Sequence, residues 1–137
     1  MIRVLGIDVG KVRIGVALSD PLGITAQPLE VIDRRKTDTL KRIIELINQH
    51  EVNQIVIGYP LQLNGEASFA AAYVDEFINS LAQHTSVPIK RWDERLTTAG
   101  AQRTMISAGV RRNKRRQTID KVAAAIMLQS FLDMKST

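Results

Sequence analysis

An aspartate stands inside an apolar strand pattern near the amino terminus. In Val4-Leu5-Gly6-Ile7-Asp8-Val9-Gly10, the residues Leu5, Ile7 and Val9 alternate with Gly6, Asp8 and Gly10. A carboxylate in such a strand costs on the order of several kcal/mol if it is buried and unpaired, so Asp8 must reach solvent, a cation or a metal. Gly6 and Gly10 share its face and carry no side chains, which lets a large group or another backbone approach it. The plain alternative is that Asp8 ends a strand and caps a turn. A second concentration of chemistry lies far along the chain, where Arg111, Arg112, Lys114, Arg115 and Arg116 put five positive charges into six positions. The formal net charge is +5, so the remainder is neutral and the basicity is local. A patch of this kind attracts a polyanion through phosphate contacts and counterion release, and nucleic acid is the commonest such partner. Its plain alternative is a solvated loop.

The elements that must position these residues belong to a chain of 137 residues, which fits a single domain over 1–137 with a real core. Hydrophobic residues make up 45% and charged residues 24%, an ordinary globular balance. The absence of cysteine excludes a disulfide, a thiol nucleophile and a zinc-thiolate site, and fits a reducing cytoplasm. The start Met1-Ile2-Arg3-Val4 lacks the apolar block of a signal peptide. The longest apolar run, Val122 to Leu128, is far short of the about 20 residues that cross a bilayer, so a cytoplasmic protein without membrane contact is expected.

In chain order, Ile14, Val16 and Leu18 alternate with Gly15 and Ala17 as a second strand, and Ser19-Asp20-Pro21-Leu22-Gly23 is a turn. Ile24 to Asp33 reads as an edge strand, where Pro28 is tolerated, and the three strands should form an antiparallel meander. Leu40, Ile43, Ile44 and Ile47 then fall at helical spacing within 37–50, with Thr37 or Asp38 as N-cap. Gln54 to Tyr59 contains the continuous run Ile55-Val56-Ile57 of a strand covered on both faces. Leu61 to Ala67, with Asn64-Gly65, is a loop. Ala70, Val74, Phe77, Ile78 and Leu81 make the stripe of a helix beginning near Ser68. Val87 to Trp92 is a further strand, ending in Asp93-Glu94-Arg95. Thr97 or Thr98 caps a helix to Ala108, with Gly109 past its end. The last helix is predicted from about Thr118, with Ile119, Val122, Ala123, Ile126 and Met127 as its apolar face. The order β-β-β-α-β-α-β-α-α gives an α/β fold, a mixed five-stranded sheet with helices on its faces.

That order, with an aspartate in the first strand, is the RNase H-like arrangement, and the motifs narrow it. Gly6-Ile7-Asp8-Val9-Gly10 with Arg13 and Gly15, then Ile57-Gly58-Tyr59-Pro60 with Asn64-Gly65, then Asp93-Glu94-Arg95-Leu96-Thr97-Thr98, then Asp120 with Ala123-Ala124 closely resemble the YqgF family, also called RuvX. The resemblance covers essentially the whole chain. It implies a RuvC-like Holliday junction resolvase homologue, or a nuclease that processes the 5′ end of precursor 16S ribosomal RNA in the bacterial cytoplasm. A non-catalytic nucleic-acid-binding ribosome-assembly factor is the alternative. Gly-x-Asp-x-Gly after a strand also occurs in actin-like and sugar-kinase ATPases, but those bind nucleotide between two such domains and this chain has room for one.

The chemistry of the acids agrees with the resemblance. Phosphodiester hydrolysis by two metals uses several carboxylates around ions about 3.5–4 Å apart. Mg²⁺ or Mn²⁺ takes oxygen ligands, so a few carboxylates and a substrate phosphate suffice. Asp8, Glu94 or Asp93, and Asp120 can converge in such a fold, and the reading assigns Asp8, Glu94 and Asp120 as catalytic metal ligands. Asp120 sits next to the apolar face of the last helix and should point at the sheet edge. Glu94 is preferred because Asp93 and Glu94 point to opposite faces of a regular strand and only one can join Asp8. RuvC-type enzymes carry a glutamate after the central strand, whereas Ile55 to Pro60 holds no acid, so Glu94 would take that role from the neighbouring strand. Gly6, Gly10, Asp93, Arg95, Thr97 and Thr98 are read as supporting residues. Lys11 and Arg13 join the basic segment as expected contacts to precursor rRNA or branched DNA, the plain alternative being that they solvate the turn. Asp93 pairing with Arg95, and Asp120 complementing a helix dipole, are the plain alternatives. Trp92 is read as core, and His50 and His84 as helix C-terminal residues without a catalytic role.

Overall fold

The computed structural model of the protein describes residues 2–61, 69–94 and 112–135, the stretch 112–119 through its backbone. Five strands form one sheet in the order β3-β2-β1-β4-β5. β1 (Val4–Val9), β2 (Arg13–Ser19) and β3 (Ala26–Asp33) pair antiparallel in sequence, as the meander requires, and β4 (Gln54–Tyr59) and β5 (Ile89–Asp93) add parallel to β1 and to each other. Pro28 lies on the edge strand beside a bulge: Val16 pairs with Glu30 and Ala17 with Pro28, leaving Leu29 as the extra residue. The predicted ends of these strands move by one or two residues, and the turn before β3 is tied by Asp20, whose carboxylate accepts from the Ile24 and Thr25 amides.

Strand alternation sorts the core into two layers. Leu5, Ile7, Val9, Ile14, Val16, Ile55 and Ile57 face α1 (Thr39–Gln49) and α2 (Phe69–Ala82), which contribute Ile43, Leu46, Ile47, Val74, Phe77, Ile78 and Leu81. Val4, Ala17, Val56 and Trp92 face the long α3 (Arg112–Lys135), packing on Ala124, Met127, Leu128 and Phe131. Asp38 caps α1, accepting from the Lys41 amide at 3.3 Å, and His50 ends it. His84 follows α2 with Nδ1 3.1 Å from the Ser80 carbonyl. Trp92 is core, its ring edge-on to Phe131 at 5.4 Å. α2 is tied to β5 by Asp75, which accepts from Tyr59 and from Arg91; that carboxylate raises the Tyr59 phenol above its ordinary pKa.

Two features differ from the sequence reading. The last helix does not begin near Thr118: it is already helical at Arg112, so Arg112, Lys114, Arg115 and Arg116 ride its first turns and are not loop residues. Arg, Lys and Gln are good helix formers, and this segment propagates the helix without the apolar repeat by which a helix is recognised. The buried stripe of that helix is also rotated, running through Ala124, Met127, Leu128 and Phe131 with Val122 and Ile126 only half-buried. The predicted helix from Thr97 or Thr98 to Ala108, the Asn64-Gly65 loop, Arg95, Thr97, Thr98 and Arg111 lie outside the described residues.

Candidate active site

The parallel strands β1, β4 and β5 end at one edge of the sheet, the edge at which open α/β sheets receive ligands. A cleft of about 230 Å³ opens there, and among its lining residues are Asp8, Gly10 and Arg13 from the β1–β2 hairpin, Pro60 after β4, Tyr73 from α2, Glu94 after β5 and Asp120 from α3. Asp8 is half-buried, neither sealed in the core nor fully exposed. Three acids that are 86 and 26 residues apart in sequence, from Asp8 to Glu94 and Glu94 to Asp120, therefore share one wall-to-wall space.

Glycines set where two of these acids stand. Gly15 pairs with Asp8 across the hairpin, and its missing side chain admits the α3 backbone: a Cβ there would collide with the main-chain oxygen of Asp120 and lie 2.6 Å from its carbonyl carbon. Gly58 on β4 does the same for Glu94, whose Oε1 lies 2.7 Å from where a Gly58 Cβ would be. Gly6 and Gly10 serve other ends. The space beside Gly6 is filled by Leu128 of α3, and Gly10 closes the hairpin by donating to the Arg13 carbonyl at 3.0 Å.

Arg13 points into the cleft and donates from Nε to Asp120 Oδ2 at 2.9 Å, with both side chains about three-quarters buried. A charge-assisted bond of this kind is worth roughly 1.5–3 kcal/mol. Lys11 is exposed at the rim, its Nζ 5.7 Å from the centre of the Tyr73 ring. Asp93, in register with Tyr59, is the last residue of β5 and is absent from the cleft lining, whereas Glu94, just past the strand, lines it. Tyr73, Pro60 and Gly58 belong to the site without having been singled out as site residues in the sequence. Gly58 carried a signal, a glycine inside a buried apolar strand, which marks a close approach.

The donor set is all oxygen, which suits a hard divalent cation. Among the described residues, no group of three His, Cys, Asp or Glu side chains is gathered tightly enough to hold one ion as it stands. Asp120 is turned to Arg13, with Oδ2 accepting from Nε.

A protein-family model described as "RuvX: Holliday junction resolvase" matches residues 2–134. The chain belongs to the RuvX family. A relative from Clostridium acetobutylicum is 48% identical over 132 residues, 96% of this chain and 98% of that protein. Another from Desulforamulus reducens is 46% identical over 132 residues, 96% of each. Both are named as candidate pre-16S rRNA nucleases. Thermus thermophilus RuvC, solved in complex with a Holliday junction substrate, superposes with a TM-score of 0.61 at 14% identity, covering 100% of this chain and 98% of that one. A second T. thermophilus RuvC structure gives 0.57 at 15% identity. These likenesses identify the fold as RNase H-like. Within this RuvX chain the acid-free end of β4 and the glutamate after β5 are one arrangement, because the void over Gly58 receives the Glu94 carboxylate.

Proposed function

We propose that this chain is a single-domain, divalent-metal-dependent endonuclease that hydrolyses phosphodiester bonds at the 5′ end of precursor 16S rRNA, using Mg²⁺ or Mn²⁺ in the cytoplasm. The observation that carries the reading is the meeting of Asp8, Glu94 and Asp120 in one cleft at the carboxyl ends of the parallel strands. The names borne by relatives at 46–48% identity over nearly their full length support the RNA substrate. No helix among the described residues is long and apolar enough to cross a membrane.

In this reading Asp8, Glu94 and Asp120 hold the metal. When bound, a divalent cation activates water and neutralises charge on the phosphoryl and leaving oxygens. The protein's share is positional. Asp8 is fixed by its pairing with Gly15 on β2, one residue past the last β1–β4 pair, Glu94 by the sheet end and the void over Gly58, and Asp120 by the packing of α3 on Gly15. Tyr73 and Pro60 wall the cleft, and Lys11 stands at its rim to meet a phosphate.

Asp8→Asn is expected to lower cleavage of a precursor 16S rRNA fragment by about 100-fold or more with Mn²⁺ present, without lowering the melting temperature, since one of several crowded carboxylates is neutralised. An Asp8→Asn protein as active as the wild type would remove the cleft from the chemistry. A four-way DNA junction assayed in parallel distinguishes a resolvase-like activity, and binding of both substrates without cleavage of either would point to an assembly factor.

The basic run at the start of α3 supplies the electrostatic part of recognition in the same proposal. A helix start carries a partial positive charge of its own, which adds to that of Arg112, Lys114, Arg115 and Arg116 near a polyanion. Neutralising Arg111, Arg112, Lys114, Arg115 and Arg116 together is expected to weaken RNA binding across sequences. The slope of log affinity against log salt should flatten by roughly 0.7–0.9 for each phosphate that the variant no longer neutralises. An unchanged slope in a salt titration would place the interface elsewhere.

A further inference from the structure

We infer that Arg13 is an internal counter-ion of the carboxylate cleft: it occupies Asp120 Oδ2 through Nε, and a divalent cation that takes that oxygen displaces it. This rests on the metal-dependent reading above and goes beyond it.

Among the described residues that line the cleft, Arg13 is the one cationic side chain, facing three carboxylates. Its partner's main chain is closely packed. The Asp120 carbonyl is seated on Gly15, and Arg13 begins β2 two residues before Gly15 on the same face of the strand. Arg13 is anchored in turn by the Gly10 amide on its carbonyl. With both backbones fixed, only the side chains can change partner.

The contact is made by Nε to a single carboxylate oxygen, not by the two-pronged fork that arginine offers at its strongest. Among the described residues, the terminal amino groups take no other hydrogen-bond or ion-pair partner. The bond is thus strong enough to hold Asp120 and weak enough to yield to a doubly charged ion that approaches carboxylate oxygens at about 2.0–2.1 Å. Once released, the guanidinium stays in the cleft, where its planar donors match a phosphate of the substrate strand. In the exchange one cation replaces another on Asp120, and the freed one meets the incoming anion.

Calorimetric Mn²⁺ titration of the full chain tests this in four proteins: wild type, Arg13→Gln, Asp120→Asn and the double variant. Removing a competitor should tighten Mn²⁺ binding in Arg13→Gln by roughly three- to thirtyfold, within the range of coupling between directly bonded groups. In the Asp120→Asn background the same substitution should change binding less than twofold, which separates competition for Asp120 from the general loss of a positive charge. A second readout needs only the wild type. The Arg13 Nε–H signal, assigned by its loss in Arg13→Lys, should shift on saturation with Mg²⁺ and exchange faster with solvent.

Equal or weaker Mn²⁺ binding in Arg13→Gln, or an Nε–H signal unmoved by Mg²⁺, overturns the inference. If Mn²⁺ binding depends on Asp8 and is unaltered by Arg13→Gln, the inference alone falls. If Asp8→Asn also leaves Mn²⁺ binding unaltered, the metal reading falls with it.

Discussion

Glu94→Gln is expected to lower cleavage by at least ~100-fold and to leave the melting temperature equal to or above that of the wild type. The size follows from its role: loss of a hydrogen-bond partner behind a metal ligand already costs about 10–100-fold, and loss of the ligand oxygen charge costs more. The direction on stability follows from its surroundings, since Glu94 shares a cleft with Asp8 and Asp120 and its neutralisation relieves like-charge repulsion. Asp93→Asn should behave in the opposite way. It is the last residue of β5 and is absent from the cleft lining, so its loss should cost about 1–3 kcal/mol of stability with activity falling less. Gly58→Ala provides a third arm. The nearest atoms to its Cβ would be those of the Glu94 side chain, so the fold yields cheaply while the carboxylate is pushed off its position. Melting curves and single-turnover cleavage on the three variants decide the matter. An active Glu94→Gln beside a folded, inactive Asp93→Asn would reverse the roles.

How much of this site could be read from the chain differs residue by residue, for physical reasons. Asp8 was legible because a carboxylate breaks a period-two apolar pattern, and that pattern alone fixes its place in the sheet. The preference for Glu94 over Asp93 rests on strand parity in the sequence, whereas β5 ends at Asp93 and Glu94 stands just past it, over the void at Gly58. Asp120 was placed near the apolar face of its helix, whereas it stands at the head of the buried stripe of Ala124, Leu128 and Phe131. That rotation depends on which small residues let the helix descend on the sheet, a property of Gly6 and Gly15 that no helical periodicity contains. The Arg13–Asp120 bond was out of reach for the same reason, joining residues 107 apart through an approach made possible by Gly15. Arg13 was read as a phosphate contact because an arginine in a hairpin beside a candidate site has no other visible partner. The start of α3 at Arg112 is hidden because its basic turns carry no apolar repeat that a hydrophobic pattern can register.

Gly15→Ala is expected to cost more stability than any other single methyl group added near the cleft. Its Cβ would meet main chain, the Asp120 carbonyl and the Lys121 nitrogen at 3.2 Å, so no rotamer change relieves the clash. The helix must move, and α3 packs on β1, β2 and β3 along its buried stripe through Ala124, Met127, Leu128 and Phe131, so movement at Asp120 disturbs packing along the sheet. Overpacking against side chains costs about 1–3 kcal/mol, and a backbone-to-backbone clash belongs at or above the upper end. For a chain of this size each kcal/mol shifts the melting temperature by roughly 3–5 °C, so a fall on the order of 10 °C or more is expected. Activity should fall further than stability accounts for. A displacement of about 1 Å at a catalytic group costs on the order of 100-fold, and the folded fraction of Gly15→Ala carries Asp120 displaced by at least that much. Gly6→Ala is the control. Its Cβ would meet the Leu128 side chain first, at 2.9 Å, farther from Asp120, so it should lose stability while keeping more activity per folded molecule. Thermal melting together with cleavage rates normalised to the folded fraction makes the comparison. A Gly15→Ala protein that melts within about 2–3 °C of the wild type, less than about 1 kcal/mol on the same scale, would mean that α3 is not seated on Gly15 and that Asp120 is positioned by other contacts.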